Sequence, residues 1–113
     1  MNKEQVGFTE QEVIQLVRRE MEKLNESKVY FECRRAKIRY VYTSLPIIRC
    51  VIALQNLGLP ITTKMVSVVL DKSQSNVIVQ LHSLGDKNIL CLKRQTGKSY
   101  SWIVAQWFLE KIL

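Results

Sequence analysis

The sequence predicts a mainly α-helical chain with one small β-hairpin, an α+β protein with a single core. Three observations lead there. Apolar side chains recur at helical intervals in separate stretches, residues 91–104 read as two strands around a short turn, and a composition 47% hydrophobic and 24% charged excludes wholesale disorder.

Taken in order, Thr9-Glu10-Gln11-Glu12 has the capping-box pattern, so a helix is expected over about 10–25. Val13, Val17, Met21 and Leu24 share one of its faces, and that face needs a surface to cover. Residues 28–43 are harder to read. Ile38, Tyr40 and Tyr42 alternate with Lys37 and Arg39 as in a strand, which favours extended structure. Val29, Cys33, Ala36 and Tyr40 would also line one helical face, and no Gly or Pro breaks the run. Ser44-Leu45-Pro46 then predicts a helix start, with serine as cap and proline in the first turn, and Gly58 and Pro60 predict its end. A short helix should follow from Thr62 or Thr63 to Leu70, and a further one, capped by Ser73, to about Leu84, where Gly85 is expected to stop it. The strands at 91–94 and 99–104 flank the turn Gln95-Thr96-Gly97-Lys98, and AQWFLEKIL closes the chain as an apolar helix.

The net charge of +7 is unevenly spread. Residues 1–27 hold four basic and six acidic side chains, residues 28–49 six and one, residues 50–86 two and two, and residues 87–113 five and one. Two positive blocks therefore flank a neutral middle, a distribution that favours a polyanionic partner.

The order helix, short helix, tight break, helix, hairpin, with Leu70, Ser73, Ser75, Val77, Leu81, Leu84 and then Asn88-Ile89-Leu90, resembles the winged helix-turn-helix regulators. Within them it is most similar to the ArsR and MarR repressors. The resemblance covers residues 45–104 and implies a sequence-preferring double-stranded DNA-binding domain of a small dimeric transcriptional regulator, the alternatives being a winged-helix protein-interaction module or a non-specific architectural DNA-binding protein. Residues 1–44, an N-terminal helix and basic segment, and residues 105–113, a C-terminal helix, are expected to serve dimerisation. Asn88 stands where those families often have Gly, and asparagine also tolerates positive φ. The helix over about 73–84 would enter the major groove, and the hairpin would lie on the backbone or minor groove. Placing Val77, Leu81 and Leu84 inward turns Ser75, Asn76, Val79, His82 and Ser83 outward.

The expected DNA-contacting residues are Thr62, Lys64, Ser73, Gln74, Ser75, Asn76, Val79, Gln80 and Ser83, with Lys93, Arg94, Gln95 and Lys98 on the wing. Asn76 and Gln80 are the candidates for reading adenine. Ile78 and Val79 depart from the polar or basic residues of the family, which removes a bidentate arginine and leaves room for a protein partner. In MarR-like proteins both terminal helices pair across a twofold axis. By that likeness Val13, Val17, Met21 and Leu24 with Trp107, Phe108 and Ile112 are expected to form a homodimer face, the alternative being packing within one chain.

Other chemistries fit poorly. Thr96-Gly97-Lys98-Ser99 resembles the end of a P-loop, but Leu92 stands where its first glycine is required. One histidine and three scattered cysteines offer no metal-binding pair, and no nucleophile has a nearby histidine, so neither a metal, a cofactor nor an enzyme is expected. An odd cysteine count, no signal-peptide pattern and no spanning apolar run predict a cytoplasmic protein.

Overall fold

The computed structural model describes residues 8–94 and 100–112. Among these, six helices and two strands follow in order: α1 (Glu10–Glu22), α2 (Glu26–Arg35), α3 (Val41–Asn56), α4 (Thr63–Leu70), α5 (Gln74–Asp86), β1 (Leu90–Arg94), β2 (Tyr100–Val104) and α6 (Gln106–Ile112). The protein is mainly helical, with one small antiparallel sheet. No helix among the described residues is long and apolar enough to cross a membrane.

The capping box forms as its residues dictate. Thr9 Oγ1 accepts from the Glu12 N–H at 3.2 Å and Glu12 Oε1 accepts from the Thr9 N–H at 2.9 Å. These bonds to Thr9, backbone first, hold the Glu12 carboxyl below the usual carboxylate range.

The chain departs from expectation immediately afterwards. α1 ends at Glu22 because Asn25 caps a new helix, its Oδ1 accepting from the Lys28 N–H at 3.1 Å. Residues 26–35 are therefore helical, not extended, and Val29 and Cys33 form their fully buried stripe. α2 stops without glycine. Lys37 takes the left-handed conformation (φ 61°), and the Ile38 N–H donates back to the Cys33 carbonyl at 3.2 Å while Ile38 itself is buried. The same device ends α3 at Gly58 (φ 72°), followed by Leu59, and α5 at Asn88 (φ 61°), followed by buried Ile89.

α3 begins at Val41, five residues before Pro46, so Ser44 is not its cap and Pro46 lies inside the helix. The proline lacks the N–H that would reach the Tyr42 carbonyl, so the second turn of α3 forgoes one backbone hydrogen bond. The boundary expected between residues 44 and 45 consequently falls within a helix.

From Ile47 to Leu54 every residue of α3 except Arg49 is buried, because α1, α2, α4, α5 and β2 surround it. Polar side chains tie the layers together. Arg18 donates from Nε and Nη2 to the Val69 carbonyl (3.2 and 3.0 Å), joining α1 to α4. Arg49 donates to the Met21 carbonyl (2.9 Å) and pairs with Glu26 (3.5 Å), joining α3 to the α1–α2 corner. Gln55 Oε1 accepts from the Val104 N–H at 2.6 Å, which holds the end of β2 on α3.

The terminal helices spend their apolar faces inside this one chain. Val17 and Met21 are buried where α1 packs on α3 and α4, and Phe108 and Ile112 are buried where α6 packs against α2. Val13 and Leu24 are half-buried against the same core, which leaves Trp107 as the exposed member of the set expected to form a dimer face. Its indole Nε1 donates to the Asn88 carbonyl at 2.9 Å.

Burial also fixes thiol chemistry. Desolvation raises Cys33 and Cys50 to about 12, with Glu32 adding to the rise at Cys33, whereas Cys91 is exposed. Iodoacetamide at pH 8 should modify Cys91 alone in the native protein, and all three cysteines after unfolding. Mass spectrometry of the native adduct reads this directly; rapid labelling of Cys33 would contradict the burial of α2.

Candidate nucleic-acid interface

The short helix α4 is capped by Thr62, whose Oγ1 accepts from the Met65 N–H at 3.1 Å. It ends at Asp71, which takes a left-handed conformation (φ 55°, ψ 50°) that glycine usually fills. Three residues, 71–73, join α4 to α5. Ser67 braces this turn from both sides: its carbonyl accepts from the Lys72 N–H at 3.1 Å and its hydroxyl donates to the Lys72 carbonyl. Ser73 then caps α5, its Oγ accepting from the Asn76 N–H at 3.3 Å.

α5 has four sides. Val77, Leu81 and Leu84 are buried, as their spacing predicts. Ser75, Asn76, Val79, His82 and Ser83 are exposed, and so are Ser73 and Gln74 at the amino end and Lys64 at the start of α4; Thr62 is half-buried. Ile78 and Val79 part company. Val79 points away from the core and is 64% exposed, whereas Ile78 turns toward the hairpin. There it lines a cleft of about 220 Å³ with Thr62, Thr63, His82, Leu92 and Trp102. The His82 ring meets Trp102 edge-on, centroids 5.2 Å apart.

Gln80 belongs to the fourth side. Its Oε1 accepts from the Ser44 hydroxyl at 2.8 Å, so Gln80 is engaged with α3 and does not stand with the outward residues. Ser44 is buried and would otherwise lack that acceptor. A helical projection of α5 alone puts Gln80 to one side of the core face; only the packing of α3 shows what lies there.

The hairpin pairs Leu90 with Val104, Cys91 with Ile103, Leu92 with Trp102, Lys93 with Ser101 and Arg94 with Tyr100. Lys93 and Arg94 therefore lie at its distal end, while Gln95 and Lys98 fall outside the described residues. A third chain segment joins the sheet, since Ile61 bridges to Trp102 and the Trp102 N–H donates to the Ile61 carbonyl at 2.9 Å. This places Ile61, two residues before α4, against the hairpin and ties the hairpin to the helix pair.

Gly85 does not stop α5, which continues to Asp86. A Cβ at position 85 would sit 3.1 Å from Trp102 Cζ3, so the glycine admits the indole against the helix.

Sequence reading does not reveal a second set of exposed rings on α2 and at the start of α3: Phe31 under Arg35, Tyr40 under Arg39, and Tyr42 against Tyr30. The charge count marked the region, but reading it as a strand hid the clustering.

Compared with known protein families, with curated proteins and with solved structures, the chain matches none.

Two substitutions test this geometry. Gly85→Val should overpack the Trp102 contact and lower stability by about 1–3 kcal/mol, and Asp71→Val should cost about 1–2 kcal/mol in the left-handed position where Asp71→Asn is tolerated. Urea unfolding of each variant measures the change; a neutral Gly85→Val would contradict the packing of Trp102 on α5.

Proposed function

We propose that the chain is a winged-helix protein that binds double-stranded DNA, with α5 in the major groove and the β1–β2 hairpin as the wing. The observation that carries this reading is the succession α3, Ile61 bridge, α4, three-residue turn, α5, hairpin, in which Ile61 pairs with the second strand of the hairpin. That order supplies a helix held by its inner face beside a basic ribbon, an arrangement suited to a groove and its phosphates.

In this reading Ser75 and Asn76 contact base edges, Val79 meets a thymine methyl, and Lys64, Lys93, Arg94 and Lys98 meet phosphates. The outward face of α5 holds no arginine or lysine, so bidentate reading of guanine is absent from it and sequence selectivity is modest. Gln80 has no base-reading role while it accepts from Ser44. One chain on one site is the stoichiometry that the burial of Val17, Met21, Phe108 and Ile112 favours.

A second reading, a protein-interaction module, has a specific observation in its favour: the apolar cleft between Ile78 and Leu92 beside exposed Val79. Salt separates the two. Duplex affinity should fall steeply with salt, and replacing Lys93, Arg94 and Lys98 by alanine should reduce the log–log slope by about 0.9 per lost phosphate contact. Absence of duplex binding at low salt would sink the DNA reading, and a Val79→Asp variant with unchanged duplex affinity would remove α5 from it.

A further inference from the structure

We propose that the corner formed by α2 and the start of α3 is a binding face for single-stranded nucleic acid, separate from α5 and the wing. Three aromatic rings stand open there: Phe31 is 58%, Tyr40 60% and Tyr42 78% exposed. Apolar rings of this size are normally buried or covered. Each of three rings carries a guanidinium beside it: Arg35 lies 5.9 Å from the Phe31 centroid, Arg39 5.5 Å from that of Tyr40, and Arg34 6.0 Å from that of Tyr30. Tyr30 in turn holds Tyr42, their centroids 5.3 Å apart and their hydroxyls hydrogen-bonded at 3.2 Å.

The charge around these rings is unneutralised. Among the described residues, Arg34, Arg35, Lys37 and Arg39 have no carboxylate within salt-bridge distance, and Glu26, which lines a cleft with Tyr30 and Tyr42, is paired with Arg49. The cations surround Glu32, the one carboxylate of residues 28–49, giving that block a net +5. A dense cationic surface calls for a polyanion.

The rings decide which polyanion. A duplex keeps its bases stacked on each other and offers exposed rings nothing, whereas the unpaired bases of a single strand stack on aromatic faces while the backbone follows the cations. An anionic membrane would need an apolar helix face to insert, yet the apolar stripe of α2, Val29 and Cys33, is buried in the protein core. An acidic peptide would satisfy the charge and leave the rings uncovered.

The test is fluorescence anisotropy of the full chain with labelled oligothymidylate and oligouridylate of about 20 nucleotides, somewhat longer than the roughly 4–16 nucleotides such faces cover, beside a duplex of equal length. Phe31→Ala and Tyr42→Ala should each weaken single-strand binding about tenfold, while Phe31→Tyr and Tyr42→Phe, which keep the ring, retain it. Duplex affinity should be unchanged in all four, and the Lys93, Arg94 and Lys98 alanine variant should show the reverse pattern. Comparison of the two oligomers assigns the face to DNA or RNA. Thermal midpoints equal to the parent's establish that the variants fold, as expected for exposed positions. Lack of single-strand binding at low salt, alanine variants that bind as the parent does, or loss of single-strand binding in the wing variant alone would overturn the proposal. So would binding to phosphatidylserine vesicles that Phe31→Ala and Tyr42→Ala abolish while oligonucleotide affinity stands.

Discussion

The whole structure depends on α3 being covered on every side. A helix with seven of the eight residues Ile47 to Leu54 buried has no free face, and each aliphatic side chain so enclosed contributes about 1.5–3 kcal/mol relative to exposure. Five elements are needed to enclose it, and that requirement sets their places. α1 and α2 close one part of its circumference, α4 and α5 another, and β2 a third. Arg18, Arg49 and Gln55 then bond backbone groups at the seams, although the Nε of Arg49 is itself buried without a partner.

This arrangement also accounts for the apolar faces of the terminal helices. Helix α1 has a strong apolar face, but α3 and α4 occupy it; α6 is short, and α2 receives Phe108 and Ile112. The surfaces left over are of another kind. One is the outer side of α5 with the hairpin, where uncharged polar side chains of α5 stand beside exposed Ile78, Val79, Leu92 and Ile103. The other is the α2–α3 corner, rich in cations and rings. In the sequence, two positive blocks flank a neutral segment that supplies much of the core.

Much of the fold could be read from the sequence because local signals agreed with packing. Thr9 and Glu12, Thr62, and Ser73 each mark a helix start that the structure contains. The inner face of α5 followed from the spacing of Val77, Leu81 and Leu84. The misreadings share a cause. Three helices end in a left-handed residue followed by an inward aliphatic, but only α3 uses glycine there; Lys37 and Asn88 do the same work without advertising it. The end of α2 therefore has no local signal in the sequence, and alternation at Ile38, Tyr40 and Tyr42 favours a strand where the chain turns from α2 into α3. Gly85 is the opposite case, since α5 runs on past it and a Cβ there would crowd the indole of Trp102. At the candidate site, outward orientation was legible from periodicity, whereas the fate of Gln80 depended on Ser44, 36 residues away.

That Ser44 to Gln80 contact has a consequence for how α5 can change over evolutionary time. Sliding the helix along its axis by one turn, about 5.4 Å, would strand a buried hydroxyl at a cost of about 1–3 kcal/mol. The axial register of α5 is thereby locked from beneath, by a side chain that touches nothing outside the protein. Residues 75, 79 and 83 are under no such constraint. New side chains there would alter what the helix meets while its position stays fixed, so that the surface can diversify over an unmoving scaffold.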